Sequence, residues 1–375
     1  MAGTEILDDL VSLEEGDPGG MLPAVEAFPR QCGEALRLGR ELETVPSAEG
    51  LARVAFLGMG GSAIGGDVLR VLLEEATGLS MSVHRSYRLP VTLGADTLAV
   101  VASYSGNTEE TISAFEDALY LGCRILAVTS GGELLKRARV SGLPCLVIPA
   151  GLQPRAALGY LSLAAAAVME RMGLLQGFVK VANETVSYLE DKAEEWGRIS
   201  VTGRNFAKQL ARRLVGKVPV VYGTESLLGV AAYRWKCQFN ENAKVPAFCH
   251  VLPEMNHNEI VGWHELNDVT RRAEAIFLLE EDDDPRIARR VEVTAELLRD
   301  RVGGVTVIRV GGRTRTEKLF GAMYLGDFVS VYLALLNGVD PTPVESIALL
   351  KERMAREERG DAGEDGRGDG GGEGA

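Results

Sequence analysis

An α/β fold built on parallel, doubly wound sheets is predicted by three features of the 375-residue chain. From Leu51 onward, short apolar runs alternate with longer helix-patterned stretches, the rhythm of consecutive βαβ units. Two of those runs end in loops of Gly and Ser that pass directly into a helical stretch, the strand-end setting in which such sheets hold ligands. The halves also resemble each other: Val220-Val221-Tyr222-Gly223 leads to Ser226 much as Ala55-Phe56-Leu57-Gly58 leads to Ser62. We read this as a degenerate duplication of one αβα unit. The alternative is chance, because doubly wound domains commonly place Gly and Ser after a strand.

The elements follow in order. Residues 1–46 form an N-terminal helical segment, with Leu36, Leu38 and Leu42 among charges and a break around Gly16–Gly20. The first αβα unit spans residues 47–155. Its strands are predicted at Val54–Leu57, Met81–Val83, Thr97–Ala102, Arg124–Thr129 and Pro144–Ile148, and its helices at Asp67–Glu75, Glu109–Leu121 and Glu133–Val140. Residues 156–200 read as bridging helices. The second unit, residues 201–354, has strands at Val218–Tyr222, Phe248–Val251, Ala275–Leu279 and Val305–Val310. Helices at Leu227–Phe239, Arg286–Asp300 and Glu317–Leu336 accompany them. The tail, residues 355–375, is rich in Gly, Asp and Glu, has little apolar surface to bury, and is expected to be disordered.

Composition narrows the function. A formal charge of −13 argues against nucleic acid or an acidic membrane as partner. Five cysteines (Cys32, Cys123, Cys145, Cys237, Cys249) form no C-x-x-C pair, which fits reduced thiols in a cytoplasmic enzyme. The N-terminus carries acids where a signal peptide needs a basic start, and no stretch is expected to span a bilayer.

The chemistry sits in the loops. The first reads Gly58-Met59-Gly60-Gly61-Ser62-Ala63-Ile64-Gly65-Gly66 and the second Ser103-Tyr104-Ser105-Gly106-Asn107-Thr108-Glu109-Glu110-Thr111. Helix starts with Gly and hydroxyl residues offer unpaired backbone N–H groups beside O–H donors, a cradle for a phosphate dianion. Neither loop has the Lys of a nucleotide P-loop. Gly58 to Ala63 also satisfies a G-x-G-x-x-A dinucleotide pattern. The next strand ends in His84-Arg85-Ser86 rather than an acid, so an NADP-dependent dehydrogenase with Arg85 on a 2′-phosphate stays as an alternative. Helix capping by Ser62 and Thr108, or a local turn at Ser103, would also account for those residues.

The second loop resembles the signature of sugar isomerase (SIS) domains. Combined with Gly60-Gly61-Ser62, Pro154-Arg155, Asn240-Glu241-Asn242-Ala243-Lys244 and Glu254-Met255-Asn256-His257-Asn258-Glu259, it is similar to the bifunctional phosphoglucose/phosphomannose isomerases. The matches run in order from about Gly58 to Lys351. The resemblance implies two SIS domains and hexose 6-phosphate substrates, without metal or organic cofactor. It implies phosphosugar contacts from Gly61, Ser62, Ser103, Ser105, Thr108 and Arg155. A phosphosugar-sensing SIS module without catalysis is the alternative from another class; such a module would not need Glu241 or His257.

Aldose–ketose isomerisation needs a base that carries a proton between C2 and C1, an acid/base that opens the ring, and a cation beside the enediolate. By resemblance, Glu241 is the base, His257 the ring-opening group, Arg155 the enediolate-stabilising cation and Lys351 a further active-site cation. The residues alone leave Arg155 equally readable as a helix-start salt-bridge partner and Lys351 as an ordinary helix-end lysine. The asparagines beside Glu241 could orient its carboxylate or touch sugar hydroxyls. Thr342, in Asp340-Pro341-Thr342-Pro343, could line the same site. His250, His257 and His264 with Glu254 form a zinc alternative, although their spacing matches no usual ligand pattern. The resemblance further implies a homodimer with His257 donated across the interface.

Overall fold

Both sheets are parallel throughout, and each takes the strand order of a doubly wound domain. The computed structural model describes residues 6–364. The first sheet comprises β1 (Arg53–Leu57), β2 (Ser80–His84), β3 (Thr97–Ala102), β4 (Arg124–Thr129) and β5 (Cys145–Val147), in the order β2-β1-β3-β4-β5. The second comprises β6 (Val218–Thr224), β7 (Phe248–Leu252), β8 (Ala273–Glu280) and β9 (Gly304–Val310), in the order β7-β6-β8-β9. The shared order supports the duplication: β6 takes the place of β1, β7 of β2 and β8 of β3. In each sheet the direction of winding reverses beside the first strand, between β1 and β3 and between β6 and β8. A crevice opens at the carboxyl ends of the strands at such points.

Period-2 alternation sorts each strand between two cores. In the first sheet, Ala55, Leu57, Ala99 and Val101 pack outward with Phe115 and Leu134 from helices Glu109–Tyr120 and Gly132–Val140. Val54, Phe56, Leu98 and Val100 point the other way, into a central core. In the second sheet Val220, Tyr222, Ala275 and Phe277 face helix Pro285–Leu298, while Val221, Ile276 and Leu278 join that same central core. One apolar interior therefore connects the two sheets. It contains the N-terminal helices Met21–Glu26 and Phe28–Glu41 and the helices Leu158–Arg171 and Arg315–Leu336.

The structure departs from the sequence expectations at four points. The helix after β1 begins at Gly60, not Asp67, and runs to Thr77, so the glycine segment is mostly its first turns. Glycine's weak helix propensity made that stretch read as loop, but packing overrides the propensity. Helix Arg315–Leu336, at 22 residues, is long and apolar enough to cross a membrane, contrary to the expectation of no such stretch. It is the central helix of the molecule, with 94% of its most apolar window buried by protein. Glu241 is the final residue of helix Leu228–Glu241 rather than lying beyond it. Finally, helix Glu345–Glu364 continues into the segment expected to be disordered, while residues 365–375 lie outside the described residues.

Candidate active site

The glycine–serine loops meet at the crevice of the first sheet. Tyr104 N donates to Ser62 Oγ at 3.2 Å, tying the loop after β1 to the loop after β3. Gly106 N donates to Ser103 Oγ at 3.1 Å, Ser103 Oγ lies 2.9 Å from Thr108 Oγ1, and Asn107 N donates to Ser105 Oγ at 3.2 Å. Gly106 is required where it stands: it has φ +71, and a Cβ there would come within 1.9 Å of Gly131 O.

These bonds bear on the capping alternative. Thr108 is the N-cap residue of helix Glu109–Tyr120, yet its side chain makes no capping bond. Ser62, inside the first turn of its own helix, accepts a bond from another loop instead of capping. In both Ser62 and Ser105 the hydroxyl acts as acceptor, which leaves its proton available. Ser103 and Thr108 need only one proton for their mutual bond. The cluster can thus turn O–H donors toward an anion beside two helix N-termini.

Arg155 lies next to this cradle. It sits in the short 3₁₀ turn Pro154–Ala156 and is 2% exposed. A Cβ on Gly61 would stand 2.8 Å from Arg155 N and from Pro154 C, so only glycine admits this approach of the first loop to the arginine's backbone. The guanidinium is held on three sides. Nε donates to Asn242 Oδ1 at 2.6 Å, and Nη2 donates to the carbonyls of Pro341 and Thr342, each at 2.8 Å. Its remaining end, Nη1, lies 3.5 Å from Glu241 Oε2. Burial pulls Arg155 below the usual arginine value and Glu241 opposes that shift; an arginine stays charged nonetheless.

Glu241 opens onto a cavity of about 740 Å³, walled also by Asn240, Lys244, Val339, Pro343, Val344 and Ile347. The four hydroxyl residues are not among its walls. Gly61 and Arg155 are the structural link between cradle and cavity. Lys244 Nζ donates to Glu241 O at 2.6 Å and to Pro341 O at 3.0 Å. Burial and then the charge of Arg155 hold its ammonium below the ordinary lysine range. Lys351 is exposed, one turn past Ile347 on helix Glu345–Glu364.

His257 is not brought to this cluster within the chain. It ends a 3₁₀ turn, Glu254–His257, at the carboxyl end of edge strand β7; the residue is exposed and its imidazole makes no hydrogen bond to any described residue. Its neighbours are firmly tied. Asn256 Nδ2 donates to Thr294 Oγ1 at 2.9 Å, Asn258 Nδ2 to Glu254 Oε1 at 2.7 Å, and Tyr222 OH to Glu259 Oε1 at 2.6 Å. His250 lies 3.0 Å from Glu259, and among the described residues no group of three or more His, Cys, Asp or Glu could hold a metal ion. The zinc alternative does not assemble. Arg85, the residue needed for an NADP 2′-phosphate, is ion-paired with Asp67 and lies over the Tyr233 ring.

Several site neighbours escaped the sequence reading. Arg234 pairs with Asp327 through bonds of 3.0 and 2.7 Å and also donates to Arg155 O at 2.9 Å. Asp327 accepts from Gln238 as well, at 2.8 Å. The available signal was Asp327 and Ser330, polar residues inside a long, apolar and buried helix.

Comparison with known proteins agrees with this architecture. Residues 204–354 match the family described as bacterial phospho-glucose isomerase C-terminal SIS domain. A bifunctional phosphoglucose/phosphomannose isomerase of Caldicellulosiruptor bescii is 39% identical over 335 residues, covering 89% of this chain and 99% of the relative. Another, from Aquifex aeolicus, is 35% identical over 81% of this chain and 90% of its own length. The solved structure of a hypothetical protein from Thermus thermophilus superposes with a TM-score of 0.71 at 18% identity, covering 95% of this chain and 94% of that one, a likeness of fold. The chain belongs to the bifunctional phosphoglucose/phosphomannose isomerase family.

Proposed function

We propose that this chain reversibly isomerises glucose 6-phosphate and mannose 6-phosphate with fructose 6-phosphate, without a metal or organic cofactor, in the cytoplasm. The observation that carries the reading is the buried Arg155 held 3.5 Å from the half-buried Glu241, with its backbone against the Gly61 loop. Ser62, Ser103, Ser105 and Thr108 hold the phosphate, with Gly61 leaving room for the approach. Glu241 takes the C2 proton of the open-chain aldose; the released electrons form the C1–C2 double bond and place negative charge on O1. Arg155 stabilises that enediolate. Glu241 then returns the proton to C1 as O2 gives up its proton and becomes the carbonyl, while O1 gains one. Glucose and mannose phosphates differ only at C2 and reach the same enediolate, so one base serves both.

His257 opens the sugar ring, and we assign it to the site of a second subunit in a homodimer. Its rigid, outward presentation and its lack of a partner among the described residues support that placement. Lys351, one turn beyond the cavity-lining Ile347 on the C-terminal helix, serves as a further active-site cation. The free thiols and the phosphosugar substrate support the cytoplasmic assignment.

Purified protein treated with excess chelator should convert both aldose phosphates to fructose 6-phosphate and, in deuterated water, leave deuterium on the sugar. Turnover of only one aldose would remove the bifunctional part. Loss of activity on chelation, restored by zinc, would overturn the metal-free mechanism.

A further inference from the structure

The Arg155 guanidinium uses neutral acceptors everywhere except at Glu241. Its Nη2 bonds go to two backbone carbonyls and its Nε bond to an amide oxygen, so no carboxylate is hydrogen-bonded to it; Glu241 is the carboxylate ion-paired with it, Asp340 on the cavity wall acts only through space, and the remaining charge faces the cavity. Asn242 is the one side chain among those neutral acceptors. It is fully buried directly after Glu241, and both ends of its amide are committed. Nδ2 donates to Ser330 Oγ at 2.9 Å, and Ser330 donates its own proton to Asp327 O at 2.8 Å. Ser330 therefore cannot serve as donor to the amide, and Oδ1 must face Arg155, whose Nε–H is donor only. A carboxylate at this position would sit closer to the guanidinium than Glu241 does, 2.6 Å against 3.5 Å, and would neutralise it.

We propose that Asn242 is a positioning residue that fixes the Arg155 guanidinium beside Glu241 through a neutral acceptor, keeping the cationic charge available to the enediolate. The proposal rests on the isomerase reading for its catalytic consequence but not for its geometry. Phosphate binding lies with other residues, so the effect belongs to turnover rather than to substrate capture.

Two variants of the full chain test it, Asn242→Asp and Asn242→Ala, each checked for an unchanged thermal transition. With glucose 6-phosphate both should lose kcat by about tenfold or more while KM stays within about threefold. Asn242→Asp with wild-type kcat would overturn the proposal, since an acceptor of the same shape would then suffice whatever its charge. A rise in KM alone would also overturn it. An arm independent of activity uses the nitrogen-15 resonance of Arg155 Nε–H, assigned by its loss in Arg155→Lys. Wild-type protein should show a slowly exchanging Nε–H, and Asn242→Ala should lose that protection. Rapid exchange in the wild type, or unchanged protection in Asn242→Ala, would overturn the positioning role even if neither variant were stable enough for kinetics. A wild-type chain that turned over neither aldose phosphate, yet showed the protected Nε–H, would sink the isomerase reading and leave the geometry standing.

Discussion

Glu241 has one feature a proton-transfer base needs and most surface glutamates lack: a fixed cation on one side and an open cavity on the other. Glu241→Gln keeps the side chain's shape and removes its basicity. Turnover of glucose 6-phosphate should fall by about 10²–10⁴-fold while the substrate still binds, as measured by steady-state kinetics beside equilibrium binding. Near-normal turnover would reject Glu241 as the base. The hydroxyl cradle makes a complementary prediction. Each charge-assisted hydroxyl bond to a phosphate contributes about 1.5–3 kcal/mol, a factor of roughly ten to a hundred in affinity. Ser103→Ala combined with Thr108→Ala should therefore weaken both substrate and inorganic phosphate in a calorimetric titration, with kcat at saturation far less affected. Unchanged affinity for both ligands would move the phosphate elsewhere. At this scale the sequence nominates residues and is silent about their partnerships. Arg155 and Glu241 are 86 residues apart, and nothing in their local patterns shows that they pair. Asn242 shows the same limit: a buried amide bonded to two distant elements looks, in sequence, like any polar residue at a helix end.

Between elements, the critical joint is where the N-terminus of helix Gly60–Thr77 meets the 3₁₀ turn Pro154–Ala156. The contact is backbone to backbone, with no slack for a methyl group. Gly61→Ala should destabilise the fold by about 1–3 kcal/mol through overpacking and lower kcat by shifting Arg155, read from urea unfolding together with kinetics. Full stability with full activity would mean the two segments can part without consequence. Among the described residues the central strands β3 and β8 are buried along their whole length and read as nearly continuous apolar runs, while edge strands β2 and β7 are partly exposed and are marked by shorter apolar patches; all nine strands overlap the runs read from the sequence. The first turn of that helix was not legible, because its glycines are selected by close approach rather than by helix propensity. The acidic stretch that begins with Glu280, the last residue of β8, and runs to Asp284 occupies, in the second sheet, the position of the Ser103–Thr108 loop in the first. Carboxylates there repel an anion, so this stretch offers no counterpart to the hydroxyl cluster of the first sheet. Lys318 instead donates to Glu280 at 3.2 Å and pairs with Asp282.

For the whole molecule, the question is why His257, the proposed ring-opening group, lies outside the cluster formed by Arg155 and Glu241. Asn256, Asn258 and Glu259 are all used to fix the turn that carries His257, yet the imidazole itself has no partner among the described residues. A rigid turn with an unengaged histidine at its tip suits a group that acts on a neighbouring copy, and two-fold dimers are the commonest assemblies of soluble enzymes. If His257 crosses over, each active site takes Glu241 from one chain and His257 from the other. His257→Ala should then slow turnover of cyclic sugar phosphate far more than of a substrate already in open-chain form. Mixing inactive Glu241→Gln protein with His257→Ala protein should restore activity, because each mixed dimer contains one site with both groups intact. Random exchange makes half of the dimers mixed, and one of the two sites in each is intact, so recovery should approach about a quarter of wild-type activity per site. Exchange is followed by native mass spectrometry of differently labelled subunits, and activity by a coupled assay on the same samples. Proven exchange with no recovery would place Glu241 and His257 in the same chain's site, or remove His257 from the chemistry.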